Sequence, residues 1–147
     1  MMLMIRGIII LHLVSVCIAA NTTKKISFET GNKLAVLRFE GDGVSDPLIE
    51  HLTEELRQSI RDLKIFNVQN RDITNDIHIF YPRGKDYWAC WNKECAVDIG
   101  RQLRVNYVIA GNIQKKENNE FFINGRLFSV DMEMMMNEFA MNSSGIT

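Results

Sequence analysis

The clearest periodic signal in the chain is a run of apolar residues at helical spacing. Leu48, Leu52, Leu56, Ile60 and Leu63 recur at steps of four, four, four and three. That spacing places them on one stripe of a helix. Glu50, Glu54, Glu55, Arg57, Arg61 and Asp62 fall largely on the other side. Asp46 followed by Pro47 marks the start, with Asp as N-cap and Pro at the first helical position, and the helix runs to about Leu63. A second helix is predicted over Lys93–Arg104, opened by Asn92 as N-cap. Its apolar face is Cys95, Ala96, Ile99 and Leu103. Gly100 in its interior costs about 1 kcal/mol of helix propensity, which points to close packing of that helix on a sheet.

Strands read from shorter apolar or alternating runs. Lys33–Glu40 is a buried strand, and Gly41-Asp42-Gly43 a sharp turn after it. Ile65–Gln69 is a short second strand, and Arg71–Ile77 one or two helical turns. Val105–Ile113 is apolar on both faces at Tyr107–Ala110, as in a central strand. Lys115–Asn119 is a polar turn. Glu120–Asp131 alternates as a strand, and Met134–Met141 is a weakly written last one. The order is β-α-β-α-β-β-β. Early alternation requires parallel strands with crossover helices, and the final hairpins add antiparallel ones. The expected fold is an α/β two-layer sandwich: a mixed sheet of about five strands with two main helices on one face.

The first 20 residues differ from the rest. Arg6 is their one charge, Ile8–Ala20 is apolar apart from His12 and Ser15, and small residues precede polar Asn21. The apolar stretch is shorter than the ~20 residues of a membrane-spanning helix. It reads as a secretory signal peptide, followed by a polar lead-in at 21–32 and one α/β domain over 33–147. Cleavage after Ala19 or Ala20 would discard Cys17. Cys17 is alternatively a lipid-attachment site, although Val16 is a poor residue to precede one. The expected protein is exported, periplasmic or anchored to an outer membrane, and touches membrane only through its signal or a lipid.

Charge narrows the partners. Removing residues 1–20 takes away one of the 17 basic residues and none of the 18 acidic ones, leaving a net charge of −2. A chain so close to neutral has no electrostatic case for nucleic acid and no polybasic membrane patch. The two remaining cysteines, Cys90 and Cys95, are a disulfide candidate in an exported protein. Two cysteines alone cannot fill a zinc site, and their spacing is not that of a redox pair.

Cys95–Gly111 and Phe66–Arg71 are the stretches where the chain looks familiar. The path K-L-A-V-L-R-F-E, F-N-V-Q-N-R-D, C-A-V-D-I-G-x-x-L and Y-V-I-A-G-N-I resembles a bacterial envelope domain over residues 33–142. That domain is shared by the curli secretion lipoprotein family, the amino-terminal domain of the Tol propeller protein, and lipoprotein activators of penicillin-binding proteins. Val105 and Asn106 depart from its pattern of a small residue and an acid. The resemblance implies the fold and the envelope setting. It brings no catalytic residues, and the chain is too short to add the membrane strands of a secretion pore.

No catalytic constellation stands out. His51 among Glu50, Glu54 and Glu55, and His78 beside Asp76, read as solvated positions. Gly41-Asp42-Gly43 lacks the remaining glycine and lysine of a phosphate loop, and no Ser, Thr or Cys lies in a nucleophile motif. The best binding candidate is the aromatic segment of Phe80, Tyr81, Tyr87, Trp88 and Trp91, since Trp and Tyr are favoured at interface hot spots. A Cys90–Cys95 bridge would stiffen its end. Met132, Met134 and Met136 would share one face of an extended strand, a soft-ligand row suited to Cu(I); apolar filler is the other reading. The expectation is a non-enzymatic accessory or adaptor of the cell envelope, without a cofactor. It binds envelope proteins or copies of itself, with copper handling as the alternative.

Overall fold

The computed structural model describes residues 31–75, 91–117 and 120–144. Within them the strands are β1 (Lys33–Val36), β2 (Glu40–Asp42), β3 (Asn67–Val68), β4 (Tyr107–Lys115), β5 (Glu120–Ser129) and β6 (Met134–Ser144). The helices are α1 (Asp46–Asp62), α2 (Arg71–Asn75) and α3 (Lys93–Leu103). The sheet runs β3-β1-β4-β5-β6, and β2 also pairs with β4. β1 is parallel to β3 and β4, β2 is parallel to β4, and the β4-β5-β6 meander is antiparallel. The mixed α/β sheet with two main helices is thus the architecture the sequence implied.

The predicted first strand is divided in two. Val36 lies opposite Ile109 and Glu40 opposite Asn112, so one extra residue is accommodated between them. Such a bulge bends a strand without ending its pairing. The residues read as a turn, Gly41 and Asp42, therefore still pair with β4. The reversal falls at Gly43, whose φ of +67° suits glycine.

Alternating strand residues divide the core. Leu34, Val36, Ile109 and Ile113 pack with Ile49 and Ile60 of α1. Ala35, Leu37, Val108 and Ala110 pack with Ala96 and Ile99 of α3. Neighbours along a strand point to opposite sides, so α1 and α3 cover opposite faces. Right-handed crossovers explain this: the chain steps from β1 outward to β3, then back across β1 to β4. Sequence patterning had set both helices on one face; strand order fixes their sides.

Helix α3 fits its expected description. Asn92 Oδ1 accepts the Cys95 N–H at 2.9 Å. A Cβ at Gly100 would stand 2.4 Å from Val130 Cγ2 and 2.8 Å from Val108 Cγ2, so the helix rests directly on the sheet there.

Helix α1 departs from its pattern. Its buried row is Ile49, Thr53, Arg57 and Ile60, one position round from the leucine stripe. Arg57, expected on the polar side, is only 2 % exposed. β3 is the cause. It covers only the beginning of β1, where Gln69 N–H bonds Leu34 O at 2.9 Å. Beyond it the β1 edge has backbone groups without a strand partner among the described residues. Arg57 Nη2 donates to Val36 O at 2.8 Å, and Thr53 Oγ1 accepts the Phe39 N–H at 3.3 Å. Buried backbone groups need such partners, so the helix turns polar side chains inward where a strand is missing.

Candidate interaction site

The site grows from the start of α3. Asn92 begins the helix, which leaves Trp91 at its foot over the sheet. Trp91 is half-buried and held on three sides. The Arg126 guanidinium lies over its ring, 3.8 Å from the centroid. Arg126 Nη1 donates to the Trp91 carbonyl at 3.3 Å. The Trp91 N–H donates to the Glu40 carboxylate. Arg126 Nε is in turn fixed by Glu138 of β6 at 2.9 Å.

Strand register explains why these residues meet. Ala110, Arg126 and Glu138 are direct neighbours across β4, β5 and β6. Glu40 lies opposite Asn112, and Asn112 opposite Asn124. Asn124 Nδ2 donates to Asn112 Oδ1 at 3.1 Å. Ala110 belongs to the α3 side of the sheet, so all of them line that side, beyond the helix start. The polar strip continues to Lys116, whose ammonium lies 4.6 Å from the centre of the Phe122 ring.

Burial lifts the Glu40 carboxyl above its ordinary value, and the Trp91 N–H partly offsets this by favouring the anion. Beside the Arg126–Glu138 ion pair, the site thus holds a partly desolvated carboxylate engaged by a backbone donor. A guanidinium over an indole contributes about 0.5–1 kcal/mol where exposed and more where desolvated. The arrangement positions an aromatic side chain. Among the described residues it aligns no nucleophile with a base.

Of the predicted binding residues, Trp91 lies in this cluster, whereas Phe80, Tyr81, Tyr87 and Trp88 lie outside the described residues. Cys95 is half-buried in the first turn of α3, while Cys90 and Cys17 lie outside the described residues. Met134 opens β6, but Met132 sits in the preceding turn and Met136 at a bulge opposite Leu127 and Phe128. Met132, Met134 and Met135 are exposed. His51 lies 3.7 Å from Glu55 on the exposed side of α1, and His78 lies outside the described residues. Among the described residues no three His, Cys, Asp or Glu side chains are grouped to hold a metal ion. No described helix is long and apolar enough to cross a membrane.

Arg126, Glu138 and Glu40 had no sequence signal beyond strand alternation. They reach Trp91 only through the register of strands far apart in sequence.

No family model matches the chain, and no curated protein matches it in sequence. Solved structures do share its fold. The LpoB C-terminal domain from Escherichia coli is similar with a TM-score of 0.64 at 17% identity, covering 90% of this chain and 93% of that one. The corresponding LpoB domain from Salmonella enterica gives 0.64 at 14% identity, covering 82% and 87%. Lipoprotein GNA1162 from Neisseria meningitidis gives 0.59 at 8% identity, covering 78% and 81%. The resemblance to a bacterial envelope domain therefore holds at the level of fold.

Proposed function

We propose that the protein is a non-enzymatic accessory protein of a bacterial cell envelope that works by binding other envelope proteins, with the segment from Phe80 to Trp91 as its contact region. The observation that carries this reading is the anchoring of Trp91. Its ring, carbonyl and N–H are each engaged, by Arg126 and Glu40. Anchoring an aromatic side chain before contact lowers the ordering cost of binding. The fold shared with LpoB and with a lipoprotein supports the envelope setting. An exported protein also suits a Cys90–Cys95 bridge, which would fix the same end of the segment. Intact mass of the exported protein reads the bridge as a two-dalton loss, the cleavage site, and any lipid on Cys17.

The test is capture of partners from envelope extracts. We expect Trp88→Ala with Trp91→Ala to lose the specific partners. Arg126→Ala should weaken binding by about tenfold, the loss of about 1.4 kcal/mol. Identical partners at identical affinity in all three proteins would overturn the contact region.

Copper handling is the second reading, favoured by the exposure of Met132 at 54% and Met134 at 47%. The bulge at Met136 interrupts the regular row, so any Cu(I) site would draw on Met132, Met134 and Met135. Titration with Cu(I) under reducing conditions decides it, and absence of saturable binding removes it.

A further inference from the structure

Helix α1 carries its leucines in an unusual place. The positions facing the sheet are Ile49, Thr53, Arg57 and Ile60, while Leu48, Leu52 and Leu56 are only half-buried. Those three form an i, i+4 row, a ridge of the kind that packs another helix. Helical geometry sets the ridge on the flank opposite Glu50. Glu50 meets Arg71 of α2 at 3.0 Å, on the β3 side, so the leucine ridge leans towards β4, β5 and β6. There the same face of the sheet offers Tyr107, Ile123 and Leu127, also half-buried. Phe139 and Met141 extend it onto β6; the Phe139 ring lies against Gly125. The result is an apolar trough with a helix for one wall and three strands for its floor.

We propose that this trough is a docking site for an amphipathic α-helix of a partner protein, one whose apolar stripe is flanked by lysine or arginine on the α1 side. The dimensions fit. β6 lies three strand spacings from β1, about 14 Å, and packed helices lie about 8–10 Å apart. One further helix alongside α1 would cover the floor. The charge follows from the rim: Glu55 and Asp62 sit above the leucine ridge, with side chains open to solvent. A contiguous apolar surface rimmed by polar residues is the usual mark of an interaction site. This surface lies on the opposite face from Trp91 and does not depend on the function proposed for that residue.

The test uses three synthetic peptides: an 18-residue helix with a leucine stripe and lysine shoulders, its glutamate-shouldered counterpart, and a version with the stripe scrambled. Each is titrated into the protein labelled at isoleucine, leucine and methionine methyls. We expect saturable shifts at Leu52, Leu56, Ile123, Leu127 and Met141 with the lysine peptide, and binding about tenfold weaker for the glutamate peptide. Glu55→Lys with Asp62→Lys, changes at a half-exposed and an exposed position, should reverse that preference. Equal binding of all three peptides, or no saturable shift, overturns the proposal. So does a free protein whose trough methyls already contact residues 1–30 or 76–90, or a second copy, since the trough would then be filled.

Discussion

Arg57 shows how one residue can be placed against its own preference. It is buried, its Nη2 serves Val36 O, and Glu54 meets its Nη1. Its Nε is buried without a hydrogen-bond partner. The cost is accepted because the β1 edge would otherwise hold an orphaned carbonyl. Replacing Arg57 by leucine should therefore destabilise the fold by about 1–3 kcal/mol, although leucine is the more apolar residue. Urea unfolding measures it, and an unchanged midpoint would show that Val36 finds another donor. Arg104 illustrates the opposite case. It closes α3 at a φ of +54°, with Val105 N–H bonded to Gly100 O at 3.0 Å. This is a left-handed cap usually given to glycine. Arg104→Gly should raise stability by about 0.5–1 kcal/mol, visible as a higher Tm. Neither residue was legible beforehand. A leucine row at steps of four looks like a core stripe, and only the short reach of β3 turns the helix away from it.

At the scale of elements, α3 and the meander were legible and the first strand was not. Asn92, the apolar positions of α3 and the interior Gly100 are local signals, and each does what local chemistry demands. Gly100→Ala tests the balance between two of them. Alanine improves helix propensity by about 1 kcal/mol, but its methyl would press on Val108 and Val130. Overpacking of this kind costs about 1–3 kcal/mol, so we expect net destabilisation in thermal melts. The bulge between β1 and β2 has no such signal, because Leu37, Arg38 and Phe39 read as continuous strand. Arg38 shows its purpose: the side chain turns to α1, bonding Asp46 at 2.5 Å and Glu50 at 2.7 Å. Both helix ends of the candidate sites thus rest on contacts that span elements, which single-sequence patterns do not record.

At the scale of the whole molecule, the sheet joins two surfaces with different chemistry: the Trp91 strip and the leucine trough. Glu40 connects the first of them to pH. Its carboxyl is raised by burial, so the folded state holds that proton at pH values where the unfolded chain has released it. Stability from this group is full below the ordinary carboxylate range and is lost as pH rises through the raised value. Glu40→Gln should remove that loss. The stability of the variant relative to the parent should grow between pH 4 and pH 7, and parallel curves would place the burial of Glu40 in doubt.

β1 lies between β3 and β4, both of which come later in the chain. A ribosome or a translocation channel delivers residues in order, so Leu34 and Val36 appear long before Tyr107–Ile109, their flanking strand. The local hairpins of the meander can close at once when they arrive, but the N-terminal half must wait for them. Until Ile113 has emerged, the chain has no complete core and exposes its most apolar strand. The N-terminal half is therefore obliged to wait for β4, and a holding chaperone would find its substrate in Lys33–Leu63.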